Sequence, residues 1–176
     1  MVMTMVHHAP GSVARARDIA AAVTDPEMPM LTLADLGVLR DIRQEEDGTL
    51  IVTITPTYSG CPAMATMRAD LERALALAGY HRVEVRTVLA PAWTSDWITD
   101  DGRRKLEEHG IVPAHVVGDR PSGPIPLTLA ASRPLVRCPQ CKSLETEMTS
   151  EFGSTACKSL HRCIHCGEPF DRIKEL

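Results

Sequence analysis

Six cysteines are the residues of this chain best suited to chemistry, and five of them lie between Cys138 and Cys166. Four form two C-x-x-C pairs, Cys138-Pro139-Gln140-Cys141 and Cys163-Ile164-His165-Cys166, separated by 21 residues. Each pair sets two thiolates on one tight turn, so that both sulfurs reach one ion. Two such turns close a tetrahedral shell with no open position for a substrate. Gly167, directly after the second pair, suits the turn of a zinc knuckle. The spacing therefore predicts a structural zinc ribbon. Buried thiols without metal are the bland alternative, and a redox dithiol needs one pair, not two. An iron–sulfur cluster on the same four ligands stays open, because thiolate shells suit either metal. Cys157 is a fifth sulfur here, either a plain buried cysteine or a substitute ligand used when a metal is passed on. His161 and His165 read as surface residues rather than donors.

Cys61 stands apart, in Thr55-Pro56-Thr57-Tyr58-Ser59-Gly60-Cys61-Pro62, where a strand meets a helix. A thiol at that junction faces unpaired backbone N–H groups and the positive end of the helix dipole, and both favour the thiolate. Gly60 leaves room for another group to approach. Cys61 is thus either a nucleophile or soft-metal ligand, or a small apolar side chain filling a loop. No Ser-His-Asp or Cys-His arrangement accompanies it. Asp25 and Glu27 sit in the rigid turn Asp25-Pro26-Glu27-Met28-Pro29, and Asp35 opens Asp35-Leu36-Gly37. Turn chemistry accounts for all three; the sharper alternative is that they line a cleft near Cys61 and assist metal or partner contact.

Two units are needed to position these groups. Ser12 can cap a helix with apolar positions Val13, Ala16, Ala20 and Val23, which stops before Asp25-Pro26. Strands are expected over Val38 to Arg43 and Leu50 to Thr55, joined at the hairpin signal Asp47-Gly48. The second reads as partly buried on both faces. A helix with Met64, Met67, Leu71, Leu75 and Ala78 on one side follows, with Pro62 at its start and Gly79 at its stop. A third strand spans Arg82 to Leu89. The order α-β-β-α-β implies a hairpin and then a crossover to a parallel strand. The result is an α/β (α+β) two-layer domain, a small mixed sheet with helices on one face. Both tryptophans, Trp93 and Trp97, and a short helix over Asp100 to Glu108 extend this domain, taken as residues 12–112. Residues 113–134, with five prolines and two glycines, read as a linker. The ribbon occupies 135–176, with short strands over Glu145 to Ser150 and Lys158 to Arg162.

Composition narrows the functional classes. A net charge of -4 and balanced charges within the ribbon argue against a nucleic-acid binder and favour protein contact. No stretch reaches the roughly 20 apolar residues of a membrane span, and the start lacks the order of a signal peptide. A cytoplasmic protein with reduced thiols is the expectation.

Taken together, Asp-Pro-Glu-x-Pro at Asp25, Asp-Leu-Gly at Asp35 and Thr-Pro-Thr-Tyr-Ser-Gly-Cys-Pro-Ala at Thr55 resemble the small iron–sulfur assembly domain of SufT-like proteins and eukaryotic cytosolic targeting factors. Pro91-Ala92-Trp93-Thr94-Ser95-Asp96-Trp97, Phe152-Gly153-Ser154-Thr155-Ala156-Cys157-Lys158 and the ribbon narrow this resemblance to the PaaD-like (PaaJ-like) family of the phenylacetyl-CoA epoxidase system. Met28 takes a position more often branched aliphatic, and Ser95 one that is frequently Thr. The resemblance implies a non-catalytic maturation factor in aerobic phenylacetate degradation, assisting iron–sulfur cluster or metal delivery to the reductase or oxygenase subunit. It makes Cys61 the functional thiol, carrying a transient cluster or iron, with Asp25, Glu27, Asp35, Ser59 and Gly60 in support. A homodimer would be natural if a cluster sits between two copies of Cys61. The alternative is a stably bound structural or regulatory subunit of the oxygenase.

Overall fold

A computed structural model describes residues 11–115 and 135–175. Most of the expected linker, residues 116–134, lies outside them. The chain divides into two compact units, Met1–Trp93 and Thr94–Leu176.

In the first unit, α1 (Val13–Ala21) starts at Ser12, whose Oγ accepts from the Arg15 N–H at 3.2 Å. It buries Ala16 and Ala20, the small residues that let a helix lie close to a sheet. Strands β1 (Leu39–Gln44) and β2 (Leu50–Ile54) form the expected antiparallel hairpin. Its turn needs Gly48 at φ 84°, a left-handed geometry that side chains resist. The Asp47 carboxyl is held below its ordinary range, first by the N–H of Thr49 and then by its hydroxyl; the nearby Arg82 charge adds to this.

Helix α2 (Met64–Leu77) carries the chain from β2 to β3 (Val83–Thr87), which pairs with β2 in parallel. The sheet order is β1-β2-β3. Because β2 is central, Leu50, Ile51, Val52 and Ile54 are all buried, so both of its faces are covered. Helix α1 packs on β1, α2 on β3, and the two helices on each other, which sets both on one face. Met67, Leu71 and Leu75 form the buried stripe of α2, at the spacing read from sequence. In β3 only Val85 is buried, and Leu89, to which the expected strand extended, lies past its end and is exposed. Trp93 closes the unit: its indole N–H donates to the Leu36 carbonyl at 2.8 Å, and the ring is buried.

The second unit begins where the sequence reading continued the first domain. Thr99 caps α3 (Asp100–Glu108) by accepting from the Gly102 N–H at 3.0 Å. Past this helix, Val112 pairs in parallel with Arg172: its N–H donates to Asp171 O at 2.9 Å, and its carbonyl accepts from Ile173 N–H at 2.9 Å. That pairing joins the segment from Thr94 to Val112 to the ribbon. Arg103 fastens the same segment by donating to the carbonyls of Ala114 and Ser95. The ribbon is an antiparallel sheet of β4 (Thr146–Ser150), β5 (Lys158–Cys163) and β6 (Pro169–Ile173). The third strand is absent from the sequence expectation, because Pro169 at its head and two charges among five residues hide the pattern. Its small core is Val136, Cys138, Cys163 and Phe170, with Val112 against it.

Leu71 is fully buried at the helix–sheet interface. Leu71→Ala is expected to destabilise the first unit by about 2–5 kcal/mol. Urea unfolding followed by Trp93 fluorescence checks this; a change under about 1 kcal/mol would contradict the packing.

Candidate metal centre and the Cys61 loop

The two C-x-x-C turns have the same hydrogen-bond pattern. In the first, the Cys138 carbonyl accepts from Lys142 N–H at 3.1 Å, and Cys138 N–H donates to Ser143 O at 2.9 Å. In the second, the Cys163 carbonyl accepts from Gly167 N–H at 2.9 Å, and Cys163 N–H donates to Glu168 O at 2.8 Å. The residue after each pair is left-handed: Gly167 at φ 81° and Lys142 at φ 62°. Lys142 therefore does with a side chain what Gly167 does without one.

These turns bring Cys138, Cys141, Cys163 and Cys166 together with all four sulfurs within 4.8 Å of one another. The Sγ–Sγ separations are 3.8 Å for Cys138–Cys166 and 3.5 Å for Cys141–Cys163. Metal–sulfur bonds of about 2.3 Å give a tetrahedron with edges of about 3.8 Å. The four residues thus fit one tetrahedral ion, which would cross-link the two turns and leave no position for a substrate. Cys138 and Cys163 are buried, whereas Cys141 and Cys166 face solvent.

Protonation is uneven among Cys141, Cys163 and Cys166. The N–H of Cys166, helped by that of His165, brings the Cys163 thiol down to about 7. Cys166 receives a lowering hydrogen bond from Glu168 N–H, but burial and the sulfurs of Cys141, Cys163 and Cys138 push it up to about 12. Cys141 is also raised: the Ser143 N–H lowers it, but burial and the sulfurs of Cys163 and Cys138 outweigh that bond. The Cys163 thiolate forms readily while Cys141 and Cys166 resist, as expected where like charges crowd.

Cys157 lies away from this cluster, just before β5, while Cys163 ends it. Five strand steps put Lys158 about 17 Å from Cys163. The Cys157 sulfur instead sits 3.0 Å from the Thr155 hydroxyl and is buried. His165 is exposed, in line with the sequence reading. His161 is not: it is buried, stacked on Phe170 at 5.6 Å, with Nε2 3.0 Å from the Ser159 hydroxyl. Burial first, and then the Arg172 charge, hold it below its ordinary pKa. Its register position opposite Phe170, invisible without β6, turns it inward.

Around Cys61 the chain makes two successive turns. Cys61 N–H donates to Tyr58 O at 3.1 Å, and the Cys61 carbonyl accepts from Met64 N–H at 3.4 Å. Pro62 and Ala63 therefore precede α2 as a turn, and the helix starts two residues later than Pro62 suggests. No side chain caps this start, and its first turn holds no acid. The half-buried Cys61 lies just before this positive helix end. A Cβ on Gly60 would fall 2.5 Å from the Tyr58 hydroxyl oxygen and 2.8 Å from its ring. The group that approaches Gly60 is therefore the ring of Tyr58, to which the sequence reading assigned no role. The signal was a glycine two residues after an aromatic. Ser59 is exposed.

Both acidic turns are tied into the same end of the sheet. Thr55, at the end of β2, donates its N–H to the Val38 carbonyl at 2.9 Å, and Val38 follows the Asp35 turn. Asp35 accepts from Thr32 N–H at 2.9 Å, while Thr32 Oγ1 accepts from Asp35 N–H at 3.0 Å, a reciprocal cap. Asp25 accepts from the N–H groups of Glu27 and Met28, each at 2.8 Å. Thr24 and Thr32 pair across the loop between them. Asp25 and Asp35 are buried, which suits carboxylates held by backbone donors, and Glu27 is exposed. Met28 is buried, consistent with a packing role.

Comparison with known proteins agrees with both halves. Residues 17–87 match the family described as iron-sulfur cluster assembly protein, and residues 123–174 match the PaaD zinc beta ribbon domain. The chain is 43% identical over 94% of its length, and 94% of the relative's, to a subunit of the "Putative 1,2-phenylacetyl-CoA epoxidase" of Escherichia coli (strain K12). It is 36% identical to the "Fe-S protein maturation auxiliary factor YitW" of Bacillus subtilis (strain 168), over 42% of this chain and 72% of that one. Among solved structures, the DUF59 domain from Bacillus anthracis aligns with 53% of this chain and 90% of its own, at 24% identity and a TM-score of 0.49.

Two outcomes test the metal centre. Binding one Zn²⁺ to metal-free protein at pH 7 should release at least two protons, because Cys141 and Cys166 are both protonated there. Affinity should therefore fall as pH falls, and titration calorimetry in buffers of different ionisation enthalpy measures the release. A value near zero would contradict the arrangement. Separately, Lys142→Gly relieves the left-handed strain and should stabilise the metal-loaded ribbon by about 1 kcal/mol, read by its resistance to denaturant.

Proposed function

From the premise that the chain belongs to the PaaD family, which joins an iron–sulfur cluster assembly domain to a zinc ribbon, we propose that it is a non-catalytic accessory factor for the phenylacetyl-CoA epoxidase system. In this reading it assists delivery of iron or an iron–sulfur cluster to the reductase or oxygenase subunit. Similarity to an epoxidase component over nearly the full length of both chains carries the reading, and the matching assembly domain supplies its chemical sense. Cys61 acts as transient ligand, favoured by the uncapped start of α2. Its exposure lets cargo arrive and leave, which a shell of four buried or crowded sulfurs does not. Delivery is then ligand exchange: a bond from iron to Cys61 sulfur breaks as one to the client's ligand forms.

The ribbon holds zinc as folding support and serves as the docking half. Sulfur spacing for a single ion, rather than for ligands on separate irons, supports zinc over a cluster there. Asp25 and Asp35 shape the turns beside Cys61 through their backbone hydrogen bonds. The word "subunit" in the relative's name favours a second reading, a component that stays bound in the oxygenase. Fixed stoichiometry on co-purification would favour that one.

Cys61→Ser should leave the fold and the ribbon's metal intact, yet reduce epoxidase activity to the level seen without the protein. Cells carrying the variant should contain reductase or oxygenase short of metal. Full metal content in both clients would sink the delivery role.

A further inference from the structure

The first sheet has two edges, and they are treated differently. On β1, the Arg17 guanidinium donates to the Ile42 carbonyl at 3.2 Å, and a bulge between Leu39 and Asp41 breaks the ladder. Both devices discourage a further strand. Strand β3 carries neither. The Arg82 carbonyl accepts from Leu50 N–H at 2.8 Å, and Val88 N–H donates to the Ile54 carbonyl at 2.9 Å, so the even-numbered residues of β3 turn their backbone groups to β2. Those of Val83, Val85 and Thr87 point away from the sheet, and none has a hydrogen-bond partner among the described residues. Glu84 and Arg86 project to the face opposite the buried Val85, away from the helices. There Arg86 Nε and Nη2 donate to the two Glu84 oxygens at 2.7 and 2.9 Å, and the side chains are 44% and 52% exposed for Arg86 and Glu84.

We propose that this open edge pairs with β3 of a second copy of the chain, antiparallel and centred on Val85. The outward groups allow only registers in which odd-numbered residues face one another. Centred on Val85, the pairing sets Val83 opposite Thr87 and Glu84 opposite Arg86, each twice by symmetry. The Glu84 and Arg86 positions are then the non-hydrogen-bonded ones, where facing side chains lie closest. A slip of two residues either way sets Glu84 against Glu84 or Arg86 against Arg86. The charge order of the strand thus selects a copy of itself as occupant, and one register. About six main-chain hydrogen bonds make a small contact, so the dimer is reversible and forms at roughly tens to hundreds of micromolar. Antiparallel pairing has a consequence for Cys61. The loop that carries it follows β2, which runs parallel to β3, and five strand residues span about 17 Å. The two Cys61 loops therefore leave opposite ends of the joined sheet. The thiols of this dimer do not share a cluster, and where Cys61 carries cargo, as proposed above, each copy carries its own.

Sedimentation equilibrium of the full, metal-loaded chain from about 10 to 500 µM tests the pairing. A reversible dimer that weakens with salt is expected. Amide hydrogen exchange at Val83, Val85 and Thr87 should slow as concentration rises. Glu84→Arg and Arg86→Glu should each weaken the dimer by about 10-fold or more, because like charges then face one another. An equimolar mixture of the two variants should dimerise again, since each copy meets opposite charges in the other, and that recovery shows both to be folded. A wild-type chain still monomeric at the highest concentration, single variants that dimerise as the wild type does, a mixture that stays monomeric, or protection confined to other segments would each overturn the inference. Its failure is separable from that of the delivery role, because the effect of Cys61→Ser on epoxidase activation is read whatever β3 does.

Discussion

Sulfur atoms within 4.8 Å of one another repel once ionised, and the ribbon depends on bringing four of them that close. Its apolar core is too small to do this alone: Val136 and Phe170 pack with two of the cysteines themselves. A divalent cation resolves both problems. It neutralises the thiolates and replaces the missing core by joining the turn before β4 to the turn between β5 and β6. The paired backbone hydrogen bonds of those turns, and N–H groups aimed at sulfur, prepare the site for such an ion.

The first unit is held by different means. Its central strand is buried on both faces, and two helices cover one of them with aliphatic side chains. Hydrophobic burial, not metal, fixes this sheet, and the loops at the end of β2 inherit its rigidity. Cys61 sits in one of those loops, ahead of a helix start that no side chain caps. The Asp25 and Asp35 carboxylates accept from backbone N–H groups and hold their own turns in shape, and Cys61 is half-buried. The contrast between four clustered sulfurs and a single half-buried one is the physical basis of the proposal that the first serves folding and the second exchange.

Much of this was legible from the chain alone, wherever the cause is local. The C-x-x-C pairs, the Asp47-Gly48 turn, the uninterrupted apolar run of β2 and the 3.6-residue stripe of α2 each express a short-range rule, and each appears as read. So do the zinc-ribbon pattern and the assembly-domain motifs, whose spacing reflects backbone turns a few residues long.

Tertiary structure decided what depends on pairing partners that no local pattern announces. Strand β6 carries Pro169 and two charges, and it becomes a strand only because β5 offers it a ladder. Pairing of Val112 with Arg172 moves the segment after Trp93 to the ribbon, against the apparent continuity of the sequence. His161 turns inward because Phe170 lies opposite, and Arg172 lines a cleft because β6 places it there. Val112 and Arg172 are far apart in the chain, and the β5–β6 partners, though in one hairpin, face each other through a register that no pattern in β6 announces. Periodicity and spacing report only local geometry, so the sequence determined the clustered thiols and most of the elements, and packing determined which surfaces they present.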